Sequence, residues 1–81
     1  MTQLEAIIES LRRLGGQGKY SDIYAEYERV LGTTLTIGRK AGIRRAIENH
    51  SSDSCNFKHK GDYFFSVHGI GNGTWGLRKN N

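Results

Sequence analysis

The chain has 81 residues, which suffices for one small domain, residues 1–81, with a single modest core. Twelve Lys and Arg against eight Asp and Glu give a formal net charge of +4, which favours a polyanionic partner: nucleic acid first, an acidic membrane surface second. The one cysteine excludes an internal disulfide, and no apolar run approaches the ~20 residues of a membrane span. We therefore expect a cytoplasmic protein.

Two amphipathic helices are predicted in the first part of the chain. Residues 2–14 repeat apolar side chains at helical spacing, and Thr2 with Glu5 has the spacing of a capping box. Residues 21–31 repeat the pattern, with Ser21 as the expected N-cap. Glycines follow both segments and are expected to end both helices.

A third helix is predicted over residues 36–50, and it is the most basic of the three. Ile43 and Ile47 lie on its core side, together with His50, whereas the opposite side begins with small residues that permit close approach to a partner. The candidate nucleic-acid-binding residues of this helix are Thr36, Gly38, Arg39, Lys40, Arg44, Arg45 and Asn49.

From residue 57 the apolar pattern changes to a period of two, which predicts strands over residues 63–68 and 74–78. The pair Asn72-Gly73 is a strong signal for a hairpin turn between them. A short strand near Lys19 and Tyr20 would complete a small sheet. Further candidate binding residues are Lys58 and Lys60 before the hairpin, Asn72 at its tip, and Arg78 and Lys79 at its end.

Three helices followed by a hairpin predict an α+β fold of the winged helix-turn-helix type. In helix-turn-helix proteins the later helix lies in the major groove of duplex DNA, where arginine reads guanine edges. We therefore expect double-stranded DNA as the partner, with Arg39 and Arg45 at base edges. Lys40 and Arg44 are expected at phosphates, which supply affinity without sequence information.

Enzymatic and metal-dependent functions are disfavoured by the residue spacings. Gly71-x-Gly73-x-x-Gly76 matches the bare dinucleotide-binding pattern, but no helix follows it to receive a pyrophosphate. Cys55 and the three histidines match no common zinc-finger spacing. We expect no enzyme activity, no cofactor and no metal.

Two segments resemble a known family. Residues 43–54 (IRRAIENHSSDS) and residues 62–78 (DYFFSVHGIGNGTWGLR) resemble winged-helix domains found beside HNH and other restriction-type endonucleases in bacteria. The first two helices resemble these domains, and HARE-type helix-turn-helix domains, more loosely. The resemblance implies a module that reads DNA, including modified cytosine, for a linked or separate nuclease. It adds a candidate surface made of Arg44, Arg45, His50, Ser51, Ser52 and Asp53.

Several functions remain open from the sequence. The first is duplex-DNA binding in a nucleoid-associated protein, either as the reading module of a nuclease or as a small stand-alone transcriptional regulator. The second is a winged helix that docks proteins, and the third is an accessory domain without affinity of its own. Salt-sensitive DNA binding separates the first from the others, because released counterions make the affinity fall steeply with salt.

Overall fold

A computed structural model of the chain describes residues 1–78, so Lys79 lies outside the described residues. The predicted α+β class is confirmed by three helices and a three-stranded antiparallel sheet. In chain order the elements are α1 (Gln3–Arg13), β1 (Gln17–Lys19), α2 (Tyr20–Leu31), α3 (Ile37–Asn49), β2 (Phe64–Ser66) and β3 (Thr74–Leu77). Within residues 1–78, every helix is too short or too polar to cross a membrane.

The predicted capping box of α1 is confirmed. The Glu5 amide donates to the Thr2 hydroxyl at 3.1 Å, and the Thr2 amide donates to the Glu5 carboxylate at 2.7 Å. At the other end the Gly16 amide donates to the Leu11 carbonyl oxygen at 2.8 Å. Gly16 has a φ of 104°, a left-handed conformation that favours glycine and stops the helix.

Helix α2 begins one residue earlier than predicted, and the assignment of Ser21 as its N-cap is wrong. The N-cap position is Lys19, which makes no side-chain capping bond. Strand β1 runs up to this residue, and the Tyr20 amide then donates to the Gly73 carbonyl oxygen at 3.1 Å. The sheet therefore fixes the start of α2 in place of a side-chain cap.

Helix α3 lies within one residue of its predicted bounds at both ends. Thr36 is the N-cap, and its hydroxyl accepts a hydrogen bond from the Arg39 amide at 3.1 Å. His50 is the C-cap, and its amide donates to the Ala46 carbonyl oxygen at 3.2 Å. The expected role of His50 at the end of this helix is confirmed.

The sheet has the order β1-β3-β2, so the last strand lies in the middle. Trp75 pairs with Gly18 on one side and with Ser66 on the other, which confirms the predicted third strand. The hairpin is also present, but its turn differs from the prediction. The chain reverses at residues 69–72, where the Asn72 amide donates to the Gly69 carbonyl oxygen at 3.3 Å. The positive φ values fall on glycines 69, 71 and 73 and not on Asn72, so the Asn-Gly pair is not the turn.

One hydrophobic core joins all three helices to the sheet. Phe64 and Trp75 come from the sheet, Leu35 comes from the loop before α3, and the other members are helical and almost all inaccessible to solvent. Its members are Ala6, Ile7, Leu11, Ile23, Tyr27, Leu35, Ile43, Ile47, Phe64 and Trp75. Because Ile43 and Ile47 fix one side of α3 to this core, the opposite side of the helix faces outward.

Candidate nucleic-acid interface

The positive charge of the chain is concentrated in α3 and the loop that follows it. Residues 36–60 contain six Lys or Arg and two acidic residues, so the formal net charge of this segment equals the +4 of the whole chain. The remainder of the sequence contains six basic and six acidic residues and is neutral. A polyanion is therefore attracted to one side of the molecule and not to its whole surface.

The ion pairs among residues 1–78 are all formed by basic residues outside the segment 36–60. Arg12 pairs with Glu9, Arg29 pairs with Glu26, and Arg78 pairs with two carboxylates. Within the part of the chain that the structure describes, no ion pair involves a basic residue of α3 or of the loop at residues 58–60. These side chains keep their charge available for an external anion.

A shallow groove of about 400 Å³ follows the outward side of α3. Arg45 and Asn49 lie on this side with Ala41, because residues four apart on a helix share a face. The loop after α3 forms the other wall. We call this feature the cationic groove, and it is lined by Ala41, Arg44, Arg45, Glu48, Asn49, Asn56 and Lys58.

Tyr24 of α2 positions two of the α3 cations. The Arg44 guanidinium donates to the Tyr24 hydroxyl at 3.1 Å, and that hydroxyl donates to the Lys40 carbonyl oxygen at 3.4 Å. The Lys40 ammonium lies 5.5 Å from the centroid of the same ring, within the range of a cation–π contact. Both charges are thereby held at the boundary between α2 and α3.

Arg39 and Arg45, which were both predicted to contact base edges, do not lie on the same side of α3. Six residues at 3.6 residues per turn separate the two side chains by about 120° around the helix axis. Arg45 faces the cationic groove, whereas Arg39 is exposed at the start of α3 and is not among the residues that line it. A single ligand surface along the groove therefore includes Arg45 without Arg39.

Ser51 and Ser52, which the family resemblance added to the surface, are held in internal contacts. Ser51 is fully buried, and its hydroxyl accepts from the Asp53 amide at 3.2 Å, so we remove it from the candidate surface. The Ser52 amide and hydroxyl both donate to Asp62, at 2.8 and 2.7 Å. Arg78 donates to Asp62 at 3.0 Å and to Ser52 at 3.1 Å. The network ties the end of α3 to the last strand.

Asp53 and His50 also have structural partners. The Ser66 amide donates to the Asp53 carboxylate at 2.9 Å, and the Asp53 carboxylate lies 3.3 Å from the Arg78 guanidinium. The His50 Nδ1 atom lies 3.0 Å from the Gly61 carbonyl oxygen, to which the protonated nitrogen donates. The run of residues 50–54 therefore connects α3 to the hairpin.

The network also sets the protonation of Asp62. Desolvation, the largest single effect, raises the pKa of this carboxyl. The hydrogen bonds from Ser52 and the charge of Arg78 together outweigh desolvation and lower the pKa below its usual range. Asp62 is consequently ionised at neutral pH and holds the loop after α3 against the hairpin.

The remaining candidates of α3 lie at its exposed first turn. Thr36 is exposed, but its hydroxyl is occupied by the cap of the helix. Gly38 is exposed, and a Cβ atom there would meet only the Thr36 hydroxyl, at 3.9 Å. Close approach to α3 is therefore unobstructed at this end.

Three further candidates outside α3, Lys58, Lys60 and Asn72, are exposed, and one of them lines the cationic groove. Lys58 does so, and its amide donates to the Asn49 carbonyl oxygen at 2.9 Å. Lys60 is exposed beyond the groove. Asn72 is exposed at the hairpin, where its side-chain oxygen accepts from the Thr74 hydroxyl at 3.1 Å. That oxygen already has a partner, so Asn72 is a weaker candidate than Lys58.

Three residues of this surface were missed as candidates. Ile37 is 87% exposed at the first residue of α3, a position that its apolar character alone does not reveal. Glu48 lies in the cationic groove and accepts from the Asn56 side chain at 2.8 Å. Helical spacing from Arg44 and Arg45 could have identified Glu48, whereas no periodic signal marks a loop residue such as Asn56.

A second cavity, of about 350 Å³, lies beside the cationic groove and shares Glu48 and Asn56 with it. Most of its wall is apolar. We call it the wing pocket, and it is lined by Tyr20, Glu48, Ser54, Cys55, Asn56, Ile70, Gly71, Gly73 and Trp75. Desolvation, reinforced by the charge of Glu48, raises the pKa of Tyr20 to about 12, so its hydroxyl is protonated at neutral pH.

Within residues 1–78, no group of three His, Cys, Asp or Glu side chains is placed to hold a metal ion. We also compared the chain with family models, with curated proteins and with solved structures, and none of them matches it. Its function is therefore inferred from its own residues.

Proposed function

We propose that the chain is a winged-helix domain that binds double-stranded DNA through α3 and the loop after it. The order of elements supports this proposal: three helices precede a hairpin, and the hairpin pairs with a strand between α1 and α2. In helix-turn-helix proteins of this kind the later helix enters the major groove and an earlier helix supports it.

The observation that carries the proposal is the location of the unpaired positive charge. Three of the six basic residues in the segment that carries the whole net charge line an open groove, and none of the six is in an ion pair within residues 1–78. Ordinary solubilising charge would be spread over the surface and mixed in sign, as it is on α1 and α2.

The contacts are assigned by position on α3. Arg45 and Asn49 face outward from the helix and reach base edges, where arginine pairs with guanine and asparagine with adenine. Lys40 and Arg44, which Tyr24 holds in place, contact phosphates on one DNA strand. Lys58 and Lys60 contact phosphates on the other side of the cationic groove.

The biological context that we propose is the reading of DNA, including modified cytosine, for a restriction-type nuclease. This part rests on the resemblance of residues 43–54 and 62–78, and it is weakened where Ser51 and Ser52 are engaged in internal contacts. A small transcriptional regulator would use the same surface. The two are separated by whether binding depends on base modification or on base sequence.

Fluorescence anisotropy of the purified chain with labelled duplexes tests the proposal. Three duplexes of one sequence, with cytosine, 5-methylcytosine or 5-hydroxymethylcytosine, are titrated at about 50 and about 200 mM salt, the range over which phosphate contacts weaken strongly. Arg45→Ala serves as the variant, because Arg45 lines the groove and makes no ion pair within residues 1–78.

We expect binding that weakens with salt and that Arg45→Ala reduces. A preference among the three duplexes would support the modification-reading role, and equal affinities would favour the regulator. Absence of binding to every duplex at low salt would refute DNA binding and direct the search to protein partners.

A further inference from the structure

The wing pocket differs from the cationic groove in its chemistry. Trp75 and Tyr20 form its inner wall. Trp75 is only 4% exposed and is fixed in the central strand, so this wall is rigid. Ile70, 63% exposed at the tip of the hairpin, forms the outer lip. Apolar walls with a few polar groups are typical of a site for a small planar ligand.

The polar groups of the wing pocket lie on the side where it meets the cationic groove. The Glu48 carboxylate accepts from the Asn56 amide nitrogen through one oxygen, at 2.8 Å, and the second oxygen has lone pairs for another donor. Carboxylates in DNA-binding proteins accept from the exocyclic amino group of cytosine. The pocket thus offers apolar walls to a ring and an acceptor to its amino group.

The position of the pocket indicates how such a ring would arrive. Because the groove and the pocket share Glu48 and Asn56, a strand with its phosphates near Lys58 runs directly past the pocket mouth. A base on that strand can enter only if it is unpaired, since a paired base is stacked inside the duplex.

We propose that the wing pocket binds one unpaired nucleobase that carries an exocyclic amino group. This inference rests on the proposed function, because the cationic groove must first hold the strand. Unpairing and unstacking cost least at bulges and mismatches, so the site would favour duplexes that already contain an extrahelical base. The domain would then distinguish damaged or mispaired DNA from intact duplex.

The test compares three labelled duplexes of the same sequence by fluorescence anisotropy. The first is fully matched, the second contains one bulged cytidine, and the third contains an abasic residue at the bulge. The abasic duplex retains the flexible backbone of the bulge and lacks only the base. It therefore separates insertion of a base from easier bending of the DNA.

Cys55 supplies a matched pair of variants, because it is exposed and lies at the pocket wall. Cys55→Phe places a large ring at the mouth of the pocket, and Cys55→Ser conserves the size of the side chain. Neither side chain has to enter the core, so both variants are expected to fold, which their circular dichroism verifies.

The wild type is expected to bind the cytidine bulge about tenfold more tightly than the abasic bulge and the matched duplex. The stacking of one base on an aromatic side chain contributes a difference of about this size. Cys55→Ser should retain this preference, and Cys55→Phe should lose it while binding the matched duplex like the wild type. Equal affinity of the wild type for both bulges, or a preference that Cys55→Phe retains, would overturn the inference and leave the proposed function standing. Failure to bind any of the three duplexes would overturn both.

Discussion

Removal of two unpaired charges from the cationic groove should weaken DNA binding far more than removal of two paired charges elsewhere. The double variant Arg45→Ala/Lys58→Ala tests this expectation, because both side chains line the groove and are free of ion pairs within residues 1–78. Both are exposed, so their removal leaves the core and the helix caps intact.

The magnitude follows from counterion release. If Lys40, Arg44, Lys58 and Lys60, the four residues assigned to phosphates, each neutralise one phosphate, the logarithm of the affinity changes with the logarithm of the salt concentration at a slope of about −3.6. Between about 50 and about 200 mM salt the wild type would lose about 150-fold in affinity. The double variant loses one phosphate contact, that of Lys58, and keeps three, so its slope would fall to about −2.7 and its loss to about 40-fold.

The matched control is Arg12→Ala/Arg29→Ala, which removes the same net charge from α1 and α2. Both arginines are paired with glutamates and lie outside the groove. Anisotropy titrations at four or more salt concentrations should give the control the slope of the wild type. Equal losses in the two double variants would show that bulk charge, and not the groove, determines binding, and this would refute the assignment of the surface.

Three further predictions concern the elements that position the surface. Thr36→Ala removes the N-cap of α3 and should lower the free energy of unfolding by about 1 kcal/mol in urea titrations, whereas Thr36→Ser should retain it; equal stability of both variants would contradict the capping role. Asp62→Asn should destabilise the protein at neutral pH. Because the pKa of Asp62 in the folded state lies below its ordinary 3.8, the contribution of its carboxylate to stability is complete above pH 3.8 and is lost as the pH falls through the folded-state pKa. The melting temperatures of the wild type and the variant should therefore converge in acid. A difference in melting temperature that stays constant with pH would contradict an origin in the charge of Asp62. Gly76→Ala should destabilise the hairpin, since a Cβ atom there would lie 2.5 Å from the Phe65 ring, and a melting temperature equal to that of the wild type would contradict the packing.

The elements of the fold were predictable because their signals are local. Helical spacing of apolar residues located all three helices, and Thr2 was identifiable as a cap from the glutamate that follows it at Glu5. The start of α2 was not predictable in this way, because a sheet contact of Tyr20 with Gly73 fixes it across more than fifty residues. Likewise, each of the three glycines 69, 71 and 73 permits a turn near the hairpin tip, and the pairing of the strands determines which turn forms.

The candidate site was predictable only in part, for the same reason. The basic character of α3 is visible in the sequence, and the angle between Arg39 and Arg45 follows from the helical repeat. The engagement of Ser52 depends on Asp62 and Arg78, which lie ten and twenty-six residues away from it. Pairings over such distances have no periodic pattern, so the resemblance alone could not separate surface residues from structural ones.

Amide chemical shifts in a titration with duplex DNA test the central claim most directly. The claim predicts that the shifted resonances of a labelled sample cluster at Ala41, Arg45, Asn49 and Lys58, while those of the outer side of α1, near Arg12, remain in place. Shifts that centre on α1, or an unchanged spectrum at low salt, would contradict the assignment of α3 as the DNA-binding helix.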